Sequence, residues 1–106
     1  MNTKARVAGL VLLAVSAVAP ALAQDSGADT YKAKCQMCHG PTGMADSGAG
    51  KAMNVKPATS PDVKKMTEAE MIAAVTNGMG KMTAFKGKLT DAQIKDSVAY
   101  FRTFVK

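Results

Sequence analysis

The sequence has no tryptophan and only five other aromatic side chains, Tyr31, Phe85, Tyr100, Phe101 and Phe104, in 106 residues. It has one histidine and two cysteines. These three residues leave a tetrahedral zinc site one ligand short, and they allow at most a single disulfide. No stretch alternates apolar and polar residues convincingly enough to read as a β-strand, which leaves an all-α domain. The apolar run near the start is shorter than the roughly 20 residues a membrane-spanning helix needs, and Pro20 interrupts its end. Lysines are not interleaved with aromatics and no recognition motif is present, so nucleic acid is excluded as a partner.

What is present begins with Lys4 and Arg6, an apolar run from Val7 to about Ala19, and the small-residue ending Ala21-Leu22-Ala23. That is the layout of a secretory signal peptide cleaved after Ala23, with residues 24–106 as one mature domain and no permanent membrane anchor. About 83 residues make a single small domain whose apolar core is marginal without a disulfide, a metal or a cofactor. The formal charge of +6 falls to about +4 once Lys4 and Arg6 are removed, a mildly basic balance that suits an acidic docking partner.

A first helix is expected from about Gly27 to Cys38, capped by Asp25 or Ser26, with Gly27, Tyr31, Cys35 and Cys38 on one face. Residues 40–61 are rich in Gly, Pro, Ser and Ala and read as a long loop, of the kind that wraps something. Thr67 and Thr90 each precede a Glu70 or Gln93 at the capping-box spacing, with Met66 and Met71, or Leu89 and Ile94, as flanking staples. The helix after Thr67 should end near Asn77 and Gly78. The last helix carries Ile94, Val98, Phe101 and Val105 on one face, with Tyr100 and Phe104 beside it.

Both cysteines and the histidine fall within the five residues Cys35-Gln-Met-Cys38-His39. C-x-x-C-H is the attachment signature of c-type haem. Thiols at i and i+3 of a helical turn point the same way and can form thioethers with one porphyrin edge, while the adjacent histidine supplies a neutral imidazole to the iron. A disulfide here would close a tiny loop and staple almost nothing. A thioredoxin-like redox pair expects a βαβ context that is absent. One haem c, held by Cys35, Cys38 and His39, also supplies the bulky apolar object that the small core lacks.

Seven methionines follow the leader, and most must be structural. Met37 lies on the cysteine turn, Met66 and Met71 belong to a staple, and Met44 and Met53 lie in the wrapping loop. Met79 and Met82 remain open as the sixth iron ligand. The Gly27, Tyr31, CQMCH register, the stretch from Gly78 to Phe85 with Met82-x-Ala-Phe, and Leu89-Thr-x-x-Gln-Ile followed by Val98-Ala-Tyr100 together resemble the small class I bacterial c-type cytochromes over the whole mature chain. The resemblance implies a cytochrome c-like fold of about three main helices and loops around one covalent haem, Met82 as the distal ligand, and a crossing of first and last helices near Gly27 with Tyr31 against Tyr100 or Phe101. Where the family usually has proline after the ligand methionine, this chain has Thr83.

Iron held by His39 and Met82 has no vacancy for substrate, so the expected function is that of a non-enzymatic, periplasmic, monomeric electron carrier. Asp62, Glu68, Glu70, Asp91 and Asp96 read as first-turn or solvated charges. Lys81, Lys86 and Lys88, with Lys32 and Lys34, would steer acidic redox partners. The other readings are an electron-transfer subunit of a periplasmic dehydrogenase or oxidase, and a five-coordinate haem gas sensor.

Overall fold

A computed structural model of the chain describes Gly9, residues 11–14 and residues 23–106. The expected leader and its cleavage point fall almost wholly outside the described residues. Among these, no helix is long and apolar enough to cross a membrane.

The elements in order are α1 (Ala23–Lys34), α2 (Gln36–His39), α3 (Gly48–Ala52), α4 (Pro61–Lys64), α5 (Glu68–Asn77) and α6 (Asp91–Arg102). Three long helices, α1, α5 and α6, form the frame, with α6 packed on both of the others. Among the described residues there is no extended strand, only two isolated bridges, Met79 with Met82 and Lys86 with Leu89.

Two expectations need correction. The first helix starts at Ala23, so Asp25 and Ser26 lie inside it and not at the cap position. Ala23 and Gln24 favour helix, and an acidic residue in a first turn is stabilised by the helix dipole, so nothing ends the helix at Ser26. Its far end also breaks at Cys35, where φ −115° and ψ −35° depart from helical values before α2 resumes. The hydrogen bonds from Cys35 N–H to Tyr31 O (2.8 Å) and from His39 N–H to Cys35 O (2.9 Å) carry the chain across that break. Residues 40–61, in turn, are not a bare loop. Ser47 caps α3, accepting from Gly50 N–H at 3.0 Å, and Ser60 caps α4 with Pro61 in the first helical turn.

Both capping boxes form as the sequence dictates. Thr67 N–H donates to Glu70 Oε2 (2.8 Å) and Glu70 N–H to Thr67 Oγ1 (3.1 Å), while Thr90 and Gln93 repeat the pair at 2.9 and 3.1 Å. Each satisfies two otherwise free backbone donors. Gly78 follows α5 with φ +81°, a conformation that costs side-chain-bearing residues dearly.

The fully buried apolar residues among those described are Tyr31, Ala45, Ala58, Met71, Ile94 and Val98. Ile94 and Val98 are the buried part of the expected α6 stripe, while Phe101, Phe104 and Val105 are half-buried. Ser97 is buried with them and turns its hydroxyl onto Ile94 O at 2.9 Å, which satisfies it within its own helix. At the α1–α6 crossing a Cβ on Gly27 would lie 2.8 Å from the Asp96 carbonyl carbon, so only glycine lets the helices approach this closely. One turn on, the Tyr31 ring meets Tyr100 at 5.2 Å, Phe104 at 5.8 Å and Phe101 at 6.3 Å between centroids.

Candidate haem site

Cys35 joins α1 to α2, and Cys38 and His39 stand on the single turn of α2, all three half-buried. That turn is fastened from several sides. The Tyr31 hydroxyl, on a ring only 2% exposed, donates to Gly40 O at 2.6 Å and so ties the residue after His39 back to α1. The Ser47 hydroxyl donates to Met37 O at 2.6 Å, and Ala45 N–H to His39 O at 2.8 Å. α3 lies against α2 with Gly50 at the contact, where a Cβ would meet the Cys38 carbonyl oxygen and, at 3.1 Å, the Ala45 carbonyl carbon. The motif placed Tyr31 on the cysteine face but did not show its hydroxyl bond to Gly40, nor the supports from Ser47 and Gly50. The one sequence signal for them was Ser47 ahead of Gly-Ala-Gly, a cap in waiting.

Electrostatics distinguish the site from a thiol redox centre. Cys35 and Cys38 are not joined in a disulfide, and in the polypeptide alone burial, with Cys38 adding to it, pushes the Cys35 thiol up to about 11. Redox-active C-x-x-C pairs need the opposite shift, toward thiolate. Burial likewise lowers the His39 pKa below its ordinary value, so the ring is neutral at pH 7 and is the ligand form of imidazole. Its Nδ1 is buried without a hydrogen-bond partner, and its ring edge rests on Phe101 at 5.3 Å. A buried polar atom left unpaired costs stability and calls for a functional reason. Two thiols on one turn beside a neutral, oriented imidazole fit a covalent haem. Among the described residues no group of three or more His, Cys, Asp or Glu side chains is placed to hold a metal by itself.

Met82 comes from a different part of the chain. Residues Met79 to Met82 form a two-residue hairpin, with Gly80 at φ +55° in the turn. Phe85 and Lys86 donate their N–H groups to Val75 O (2.9 Å) and Thr76 O (3.1 Å), which hangs the segment on the end of α5. The His39 turn thus touches α6 through Phe101, the Met82 hairpin hangs from α5, and α5 packs on α6. Met82 is half-buried, Met79 is 58% exposed, and Met37 is 75% exposed on the cysteine turn. Met71 is buried in the core, in keeping with its staple role.

Comparison with known proteins points the same way. A family model described as cytochrome C oxidase, cbb3-type, subunit III matches residues 22–101. Cytochrome c6 of Nostoc sp. (strain PCC 7120 / SAG 25.82 / UTEX 2576) is 39% identical over 97 residues, which span 87% of this chain and 82% of the relative. Cytochrome c6 of Leptolyngbya boryana is 40% identical over 75 residues, 71% of this chain and 85% of the relative. Among solved structures, the KustC0563 c-type cytochrome superposes with a TM-score of 0.68 at 27% identity, covering 76% of this chain and 98% of that one.

Proposed function

Since the chain belongs to the small class I c-type cytochromes, we propose that it is an exported periplasmic electron carrier, with Cys35, Cys38, His39 and Met82 as the residues that hold its haem. The observation that carries this reading is the Cys35–His39 stretch, which holds two thiols three residues apart beside a neutral imidazole whose Nδ1 is buried without a partner. When bound, the haem supplies a one-electron couple between Fe(II) and Fe(III). The side chains do the rest. Cys35 and Cys38 would hold the haem covalently through thioethers, each thiol adding across a vinyl group with no atom lost. His39 and Met82 would be the iron's two protein ligands and would leave no site for a substrate, which favours electron transfer over catalysis. Thioether ligation by Met82 favours Fe(II) and raises the potential. The rigid proximal turn, tied by Tyr31 and Ser47, holds geometry nearly constant between the two oxidation states.

Lys81, Lys86 and Lys88 are exposed around the hairpin, and Lys32 and Lys34 are exposed ahead of the cysteines. They form the rim to which acidic redox partners of a monomeric carrier dock. A second reading is supported by the description of the matching family model, an oxidase subunit. Co-purification with a membrane oxidase under mild detergent would favour it, and recovery as a free soluble protein would favour the carrier.

The direct test is Met82→Ala in the haem-loaded protein. With Met79 also replaced by Ala, so that no neighbouring thioether can stand in, it should lower the reduction potential, admit carbon monoxide and abolish the weak red-edge charge-transfer band of the oxidised form. If the unaltered protein already binds carbon monoxide rapidly and lacks that band, the iron is open at rest and a gas sensor is the better description.

A further inference from the structure

Met79 and Met82 exchange both backbone hydrogen bonds of their hairpin. Met82 N–H donates to Met79 O at 2.9 Å and Met79 N–H to Met82 O at 3.3 Å. Residues paired in this way across antiparallel chains send their side chains to the same face, with Cα atoms about 5.5 Å apart. The two side chains leave the hairpin on the same face, so the Met79 sulfur can reach toward the surface that Met82 addresses. Met79 lies at the edge of an open groove lined also by Met66, Glu70, Ala73 and Asn77; it is 58% exposed there, and its unbranched side chain, with three rotatable bonds, is free to leave.

The backbone around the pair is hinged on one side and anchored on the other. Gly78 at φ +81° and Gly80 at φ +55° flank Met79 directly. Downstream, Phe85 and Lys86 are bonded to the end of α5, and between them and the hairpin only Thr83 and Ala84 intervene, neither with a ring that fixes φ. A displacement of one residue pair therefore moves the hairpin without breaking its anchorage.

We propose that Met79 is a reserve thioether ligand: when the Met82 sulfur leaves the iron, the hairpin shifts and the Met79 sulfur takes the sixth position. This deepens the assignment of Met82 and rests on it. The iron is kept closed by a pair of methionines at i and i+3, and an outside ligand must displace both. The soft donor is preserved in the exchange, so the preference for Fe(II) is preserved with it.

The test uses the full chain loaded with haem. Met82→Leu keeps the volume and removes the sulfur, and it is compared with the double variant Met79→Leu/Met82→Leu. Met82→Ala and Met79→Ala/Met82→Ala run in parallel in case leucine crowds the site. The single Met82 variant should retain a sulfur-to-iron charge-transfer band that the double variant lacks. It should also bind carbon monoxide about tenfold more weakly than the double variant, because a reserve ligand bound about nine-tenths of the time cuts apparent affinity by that factor. Single and double variants alike in both readouts would overturn the reserve role and leave Met82 as the resting ligand. Loss of the band in Met79→Leu alone, with Met82→Leu retaining it, would instead make Met79 the resting ligand and overturn the Met82 assignment itself.

Discussion

At the scale of single residues, the Tyr31 hydroxyl illustrates how a remote group orders a haem turn. It lies four positions before Cys35, yet its bond to Gly40 O closes the far side of the same turn. Tyr31→Phe keeps the ring packing against Tyr100, Phe101 and Phe104 but removes the shorter of the two hydrogen bonds on Gly40 O, leaving the one from Gly43 N–H at 3.3 Å, which costs about 0.5–1.5 kcal/mol. Thermal melting of the haem-loaded variant should show the loss. A melting point equal to that of the unaltered protein would mean water or another donor replaces the hydroxyl without cost.

Elements are held by two different devices, and substitutions separate them. The capping boxes act locally at the helix start, so Thr90→Ala should cost about 1 kcal/mol and lower Tm by about 4–8 °C in a domain of this size. Gly27 acts between helices. There a methyl group collides with the Asp96 carbonyl of α6, and Gly27→Ala should destabilise by about 1–3 kcal/mol in spite of alanine's higher helix propensity. The sign is the diagnostic: a stabilised Gly27→Ala protein would show that α1 and α6 do not cross so closely.

For the molecule as a whole, the shortage of aromatic and fully buried side chains makes the haem part of the core. Replacing Cys35 and Cys38 together with Ala should therefore leave a mature chain that is haem-free and mostly unfolded by circular dichroism. A helical, cooperatively melting product would contradict this. Charge acts at the same scale. Neutralising Lys81, Lys86 and Lys88 should slow electron exchange with an acidic partner at low ionic strength and matter little near 1 M salt, where the Debye length is about 3 Å. Stopped-flow rates that are unchanged at low salt would return these lysines to a purely solubilising role.

The sequence by itself determined whatever depends on residues close together along the chain. The cysteine and histidine turn, both capping boxes and the stop after Asn77 each need only a few neighbours, because hydrogen bonds in a helical turn span three or four residues. The α6 stripe was legible for the same reason, since the helical period places Ile94 and Val98 on one face. Only the tertiary structure decided what depends on residues distant in sequence. It showed α1 starting at Ala23 and breaking at Cys35, and it showed one short helix within residues 40–61 and a second starting at Pro61. It showed that Ser47 and Gly50 brace the cysteine turn and that Met79 and Met82 share one face of a hairpin. Local signals for these features were weak, since serine, glycine and methionine suit many backbone settings. Close contact with a neighbouring element selects among those settings, and that contact exists only once the chain has folded.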